Sequence, residues 1–351
     1  MKNILNRLVS YKNLDVKSTE KAMELIMSGN STLAQIGSFL TALRMKGEKP
    51  EEIAALAKIM RSFCEKIDPR ISNNQILLDT CGTGGDKLKT FNISTISALI
   101  LAAADIPIAK HGNRSITSKC GSADFLEGLG VKIDAKPEIV QNCIEKAGIG
   151  FMFAPVFHPA MKHVMPARKQ LGIRTVFNIL GPLTNPANAQ AQILGIFSPD
   201  LTEKIAEVLK ILGVKRALTF HGMHGLDEIS NLGNTKISEL KDSEIINYQL
   251  NVKDFGLEKG SINDIIGGNV QDNIKIAMDI LNGKKSPKLD IVLMNCAAGL
   301  YVTNKIDKLE EGIELSRDII QSGKPIKKIK ELITFSGGSL EVFEDFEEII
   351  A

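Results

Sequence analysis

The sequence predicts a large α/β domain preceded by a smaller all-helical domain, and three observations carry that expectation. Residues 1–70 repeat apolar side chains at helical spacing. From residue 75 onward, short apolar runs of strand length alternate with helix-length segments. Between residues 76 and 130, two loops rich in glycine, hydroxyls and fixed cations each open a helix, an arrangement that presents backbone N–H groups to an anion.

The helical part comes first. Leu33, Ile36, Leu40 and Leu43 fall on one helix face, with Thr32 and Gln35 spaced as a capping box and Gly47 as a stop. Pro50-Glu51-Glu52 opens the next helix, in which Ile53, Leu56, Met60 and Phe63 repeat the pattern. This stretch holds no catalytic constellation. Its apolar faces suit either its own packing or a subunit contact.

After residue 75 the expected strands are 76–78, 106–109, 150–153, 192–197, 217–220 and 245–250. Helices are expected over 137–146, 201–212 and 272–281, with a buried helix over 289–302. Residues 155–190 interrupt the alternation: 159–170 reads as a helix that Pro166 kinks or restarts, and 174–186 leads back to the sheet. No internal repeat or low-complexity segment marks a linker between independent domains.

The bulk numbers exclude several classes. A chain of 351 residues holds one large domain and a smaller one, and 44% hydrophobic with 24% charged residues is an ordinary globular composition. A net charge of +2 argues against coating nucleic acid or anionic membrane, and with tryptophan absent and tyrosine scarce, stacking platforms for single strands have little to work with. The five cysteines are scattered and never spaced as CxxC, which suits reduced thiols in a cytoplasm. No apolar stretch reaches the roughly 18 residues of a membrane span.

Chemistry concentrates in residues 76–130. The run Ile76-Leu77-Leu78-Asp79 leads into Gly82-Thr83-Gly84-Gly85-Asp86, where three glycines in four positions let the backbone approach a ligand. Thr90, Asn92, Ser94 and Thr95 stand directly before an apolar helix. The second loop, residues 110–118, carries Lys110, His111, Gly112, Asn113, Arg114, Ser115, Ile116, Thr117 and Ser118, with Lys110 and Arg114 as its cations, and leads to a helix start at Ser122. The dinucleotide fingerprint fails because position 87 is Lys87, and no GxxxxGK[ST] occurs. The acidic strand-end pair of the common phosphoribosyltransferase fold is also missing. Further on, a strand is followed by His221-Gly222-Met223-His224-Gly225-Leu226-Asp227-Glu228. Adjacent carboxylates can hold Mg²⁺ with water and phosphate as the other ligands. On its own such a pair is more often a solvated loop. His221 and His224, three apart without a further ligand nearby, close a turn more readily than they bind zinc.

The GTGGD run at 82–86, Asn92-Ile93-Ser94-Thr95, Lys110-His111-Gly112-Asn113-Arg114 and Gly121-Ser122-Ala123-Asp124, in this order, resemble the anthranilate phosphoribosyltransferase family. The resemblance covers nearly the whole chain. It implies a small α-helical domain of residues 1–70, joined by a segment within about 160–190, and an α/β domain of residues 75–351, with the active site in the cleft between them. It implies transfer of the 5-phosphoribosyl group from 5-phosphoribosyl 1-pyrophosphate to anthranilate, an early step of tryptophan biosynthesis. By position, Gly82, Gly85, Asp86, Thr90, Asn92, Ile93, Ser94, Thr95, residues 110–118 and Ser122 would bind the donor. Gly82, Asn113 and Arg168 would meet anthranilate, and Ser94, Asp227 and Glu228 would hold Mg²⁺, two ions with bound substrate. No residue is assigned as acid or base. The family forms homodimers through the helical domain; neither nucleic acid nor membrane is implied. A pyrimidine nucleoside phosphorylase shares the architecture but needs a different glycine loop, and a nucleic-acid-binding relative needs a basic stripe.

Overall fold

The computed structural model describes residues 1–84, 88–115 and 119–350. Helices α1 (Lys2–Val9), α2 (Val16–Met27), α3 (Leu33–Lys46) and α4 (Pro50–Ser62) open the chain. The Thr32 hydroxyl accepts from Gln35 N–H and Gln35 Oε1 accepts from Thr32 N–H, so the expected capping box forms, and Gly47 ends α3 with φ 85°. Leu8, Met23, Ile26, Phe39, Leu40 and Leu56 join one apolar cluster.

The chain returns to that cluster much later. A 3₁₀ turn, Pro159–His163, is followed by the helix Met165–Leu171, with Pro166 in its first turn, where the missing N–H costs nothing. Proline therefore restarts the helix and does not kink it. Val164, Ala167, Phe177 and Leu180 pack into the same cluster as α1–α4, and so do Ile205 and Leu209 of the helix Thr202–Ile211. One apolar seam thus joins the first helices to the sheet layer.

A buried ion pair braces the corner between α3 and α4. Lys46 Nζ lies 2.7 Å from Glu52 Oε2, with side chains only 3% and 1% exposed. The remaining capacity is used: Lys46 also donates to Asn13 Oδ1 and Gly47 O, while Glu52 accepts from the N–H groups of Leu14 and Lys49. Such satisfaction is the condition under which a buried pair is tolerated.

Among the described residues, seven strands form one sheet in the order β3-β2-β1-β4-β5-β6-β7. They are β1 (Leu78–Gly82), β2 (Ile108–Gly112), β3 (Ile149–Phe153), β4 (Ala191–Gly195), β5 (Arg216–Gly222), β6 (Thr235–Lys241) and β7 (Glu244–Leu250). Pairing is parallel from β3 through β5 and antiparallel from β5 through β7. β6 is absent from the sequence expectation because Lys236, Glu239 and Lys241 disguise its apolar face. Its hairpin turn uses Asp242 and Ser243, both at positive φ, in place of an Asn-Gly signal. Glu239 is buried and accepts from Tyr248 and Tyr301 hydroxyls, which is how a carboxylate survives in an inner strand. The apolar helix α5 (Ile93–Ala103) connects β1 to β2, and α6 (Ser122–Gly128) follows β2. The helix Pro287–Val302 is buried along almost its whole length, as its composition predicts.

The α3–α4 brace gives a stability prediction. Glu52→Ala strands the Lys46 ammonium inside the protein and should cost about 3–5 kcal/mol, read as a lower urea midpoint. Lys46→Met combined with Glu52→Leu removes both charges and should recover only part of that loss, because the N–H groups of Leu14 and Lys49 still lose their acceptor. A single-variant cost under about 1 kcal/mol would show the pair to be solvated.

Candidate active site

β1 is followed in sequence by neighbours on one side, β2 and β3, and then by β4 on the other. The crevice at the carboxyl ends of β1 and β4 is therefore a topological switch point, where open α/β sheets bind ligands. A cleft of about 420 Å³ opens there.

The site begins with two missing side chains. A Cβ at Gly195, the last residue of β4, would stand 1.7 Å from the Asp227 carbonyl oxygen, and one at Gly82 would stand 2.6 Å from Asp227 Oδ2. Glycine at both strand ends lets the 227–228 loop cross directly over them. The first loop is tied to the same point: Gly84 N–H donates to Asp227 Oδ2 (2.9 Å), and Thr83 N–H donates to Gly195 O (2.8 Å). Asp227 and Glu228 are each only 9% exposed and both line the cleft.

The second loop is stapled at its base by Asp124, the third residue of α6. One carboxylate oxygen accepts from Ser115 N–H (3.0 Å) and Gly121 N–H (2.9 Å). Burial alone would raise the Asp124 pKa, but these two N–H groups and Arg114 outweigh it and hold it low. Arg114 lines the cleft with its charge already engaged, bidentate to Glu127 and single to Asp124; Glu127 first and Asp124 second raise its pKa. Arg114 thus enters the cleft as an ion-paired cation, held by Asp124 in the first turn of α6 and by Glu127 further along it.

Lys110 is likewise held by protein partners. It is buried in the floor of the cleft, donating to Thr80 O (2.6 Å), Thr80 Oγ1 (3.2 Å) and Ser94 Oγ (3.3 Å). Burial lowers its pKa, and the nearby carboxylates, Asp79 first and then Glu228, act the other way. Asp79 lies below, with its own pKa raised by burial, and accepts from Gln192 Nε2 and His111 N–H. The result is a layered floor in which Lys110 fixes Ser94 at the start of α5.

His111 reaches the cleft and packs 5.0 Å from the ring of His158. Burial, then the His158 charge, pushes the His111 pKa down to about 3, and burial holds His158 at about 4. Both rings are neutral near pH 7, and a base this weak gives little acid–base catalysis. The cysteines offer no nucleophile: burial raises Cys81 well above an ordinary thiol and pushes Cys120 up to about 12.

Of the residues singled out in sequence, Gly82, Thr90, Asn92, Ile93, Ser94, Thr95, Lys110, His111, Gly112, Asn113, Arg114, Ser115, Ser122, Asp227 and Glu228 line this one cleft. Gly85, Asp86, Ile116, Thr117 and Ser118 lie outside the described residues. Arg168 does not line it: half-buried, with a pKa lowered by burial, it sits 5.5 Å from the Phe177 ring with Nη1 toward Met165 Sδ. Arg174 and Asn178, which sequence reasoning missed, do line it. Arg174 stacks 4.5 Å from the Phe197 ring, and Asn178 Oδ1 accepts from Thr175 N–H. A turn closed by Asn178 three residues after Thr175 was the available signal. Among the described residues no group of three or more His, Cys, Asp or Glu forms a metal cage.

Comparison with known proteins places this architecture. Residues 74–326 match the family described as glycosyl transferase family, a/b domain, and residues 2–64 match its helical bundle domain. The anthranilate phosphoribosyltransferase of Acetivibrio thermocellus is 51% identical over 344 residues, covering 98% of this chain and 99% of that one. The crystal structure of the Thermus thermophilus anthranilate phosphoribosyltransferase superposes with a TM-score of 0.90 at 39% identity, covering 95% of this chain and 99% of that one. That of Saccharomyces cerevisiae, in complex with PRPP and Mg, gives 0.87 at 29% identity, covering 96% and 97%. Near-complete coverage by relatives of one kind, on the helical and α/β parts alike, leads to one statement: this chain belongs to the anthranilate phosphoribosyltransferase family.

Proposed function

We infer that this protein is an enzyme of tryptophan biosynthesis that transfers the 5-phosphoribosyl group of 5-phosphoribosyl 1-pyrophosphate to the amine of anthranilate. N-(5-phosphoribosyl)anthranilate and pyrophosphate are the products. The observation that carries the reading is the convergence of both glycine-hydroxyl loops and the acidic pair on one crevice, in a chain 51% identical to an enzyme of that name.

In the reaction the ribose C1–O bond to pyrophosphate breaks and a C1–N bond forms, while the amine proton passes to pyrophosphate or water. An aryl amine is a weak nucleophile, so the C1–O bond loosens early and the protein's task is positioning and stabilising the leaving group. The neutral His111 and His158 fit a reaction that needs no strong base.

The donor-binding assignment takes in the first loop and its helix start (Gly82, Gly85, Asp86, Thr90, Asn92, Ile93, Ser94, Thr95), with residues 110–118 and Ser122. The α5 terminus and Ser94 serve the pyrophosphate, and Lys110 acts from beneath through its charge and its hold on Ser94. Asp227, Glu228 and the Ser94 hydroxyl are the residues suited to Mg²⁺. Two carboxylates without a third protein anion among the described residues match a cation that keeps waters and takes phosphate oxygens. These residues would hold Mg²⁺, two ions in this assignment, which would supply positive charge against the departing pyrophosphate. Gly82, Asn113 and Arg168 receive anthranilate. Residues 1–70 with the segment within about 160–190 form the small domain and residues 75–351 the large one. The assembly assigned is a cytoplasmic homodimer through the helical domain; no helix among the described residues is long and apolar enough to cross a membrane.

The metal assignment is tested by replacing Asp227 with Asn and Glu228 with Gln together. The Mg²⁺ concentration for half-maximal rate should rise by about tenfold or more, with slower turnover. A Mg²⁺ titration that superimposes on that of the unmodified enzyme would reject the pair.

Acceptor recognition is tested at Arg168. Loss of a charge-assisted contact worth about 1.5–3 kcal/mol should raise the anthranilate KM roughly 10- to 150-fold in Arg168→Ala, with donor affinity nearly unchanged. Aniline, which lacks the carboxylate, should be a poor substrate that the substitution hardly affects, closing a double cycle. If Arg174→Ala produces the carboxylate-specific loss and Arg168→Ala does not, the contact belongs to Arg174, which lines the cleft.

A further inference from the structure

Two buried asparagines stand behind the cleft, on helices that supply none of its described lining. Asn273, in the helix Val270–Leu281, is 1% exposed. Its Oδ1 accepts from the N–H of Asn92, the residue before α5 (3.2 Å), and its Nδ2 donates to Gly268 O (3.0 Å) and Asn269 O (2.8 Å). The chain ahead of it lies along the stem of the first loop. Gly267 N–H donates to Lys89 O (3.0 Å), Phe91 N–H donates to Ile265 O (3.4 Å), and Thr90 bridges Ile266 in antiparallel sense. A Cβ at position 267 would stand 2.8 Å from Phe91 Cα, so this approach requires glycine.

Asn295, in the helix Pro287–Val302, holds the opposite wall and is also 1% exposed. Its Oδ1 accepts from Ile229 N–H (3.1 Å), and its Nδ2 donates to Ile229 O (3.1 Å) and Ile291 O (2.8 Å). Ile229 directly follows Glu228. One amide therefore fixes both peptide groups of the residue that anchors the acidic pair. Burying an amide in a helix interior is costly unless every group finds a partner, and here the partners include the backbone of the two functional segments, Asn92 N–H for Asn273 and both peptide groups of Ile229 for Asn295.

We propose that Asn273 and Asn295 are positioning residues, Asn273 setting the start of α5 for the donor's pyrophosphate and Asn295 setting Asp227 and Glu228 for Mg²⁺. The second half rests on the metal assignment made above. Neither asparagine touches substrate; each acts through one backbone segment.

The two roles separate in one experiment. Calorimetry measures binding of 5-phosphoribosyl 1-pyrophosphate to the whole protein across a Mg²⁺ series, and steady-state kinetics gives the anthranilate KM. Asn273→Ala weakens donor binding about tenfold at saturating Mg²⁺, the scale of one lost buried acceptor, with the Mg²⁺ midpoint and anthranilate KM within about twofold of the unmodified enzyme. Asn295→Ala instead raises the Mg²⁺ midpoint of donor binding about tenfold and leaves affinity at saturating Mg²⁺ within about twofold. General loosening of the core has no reason to divide along donor and metal, so equal effects of both variants on every parameter overturn the proposal. So does the absence of any effect in folded protein. Gly267→Ala and Thr235→Val reach the same two walls through other atoms, Thr235 Oγ1 accepting from Ser230 N–H (2.9 Å), and carry the test if an alanine variant does not fold. The Asp227→Asn, Glu228→Gln variant is the reference. If its Mg²⁺ midpoint of donor binding is unchanged, the metal assignment fails and takes the Asn295 role with it. If that midpoint moves while the Asn295→Ala midpoint does not, the positioning role alone fails.

Discussion

The Asp227 carbonyl occupies the space in which residue 195 would carry a side chain, and the Asp227 carboxylate occupies the corresponding space at residue 82. That double close approach is the constraint on which the cleft depends. It brings a loop from beyond β5 across the ends of β1 and β4, and it gives Gly84 N–H its partner. Without it, the acidic pair and the first glycine loop would stand on separate strand ends and share no ligand. A methyl group at residue 195 has no room unless the 227–228 loop moves, and one at residue 82 displaces the Asp227 carboxylate, because interiors of this kind are close-packed. The geometry that assembles the site is thus set by what the two residues lack.

Around that point, the charges of the chain are arranged in layers. Lys110 and Asp79 lie in the floor, and Arg114 is held at the rim by Glu127 and Asp124. Lys110 and Arg114 already hold protein partners, so their charge acts from fixed positions, beside the hydroxyls and the start of α5 that line the cleft. These are fixed dipoles that need no reorganisation when a leaving group develops charge. The neutral histidines complete the picture. A site built for departure of a pyrophosphate has little use for a general base.

The sequence made the fold class, the first helices and both loops legible because each rests on local chemistry. Thr32 and Gln35 cap a helix through their own backbone, and three glycines in four positions at 82–85 announce a backbone that must approach something. What stayed hidden depends on partners distant in the chain. Gly195 reads as an interior strand residue, and its purpose appears only when residue 227 lies on it. Strand β6 stayed hidden because Glu239 needs Tyr248 and Tyr301 to be tolerated inside. Arg174 and Asn178 sit in a segment whose path back to the sheet no periodicity foretells, while Asn273 looks like one more polar residue in the first turn of an amphipathic helix and Asn295 like a stray one in an apolar helix. The alternation rules that located most strands say nothing about which loop crosses which strand end.

The most direct test of the account is the reaction itself. Anthranilate is fluorescent, and its signal should fall when the purified protein is given 5-phosphoribosyl 1-pyrophosphate with Mg²⁺, with pyrophosphate appearing in equal amount. The fall should require all three additions and stop when the limiting substrate is consumed. A well-folded protein that leaves anthranilate fluorescence unchanged under those conditions would contradict the account, and the cleft would then have to be read as a binding site without this chemistry.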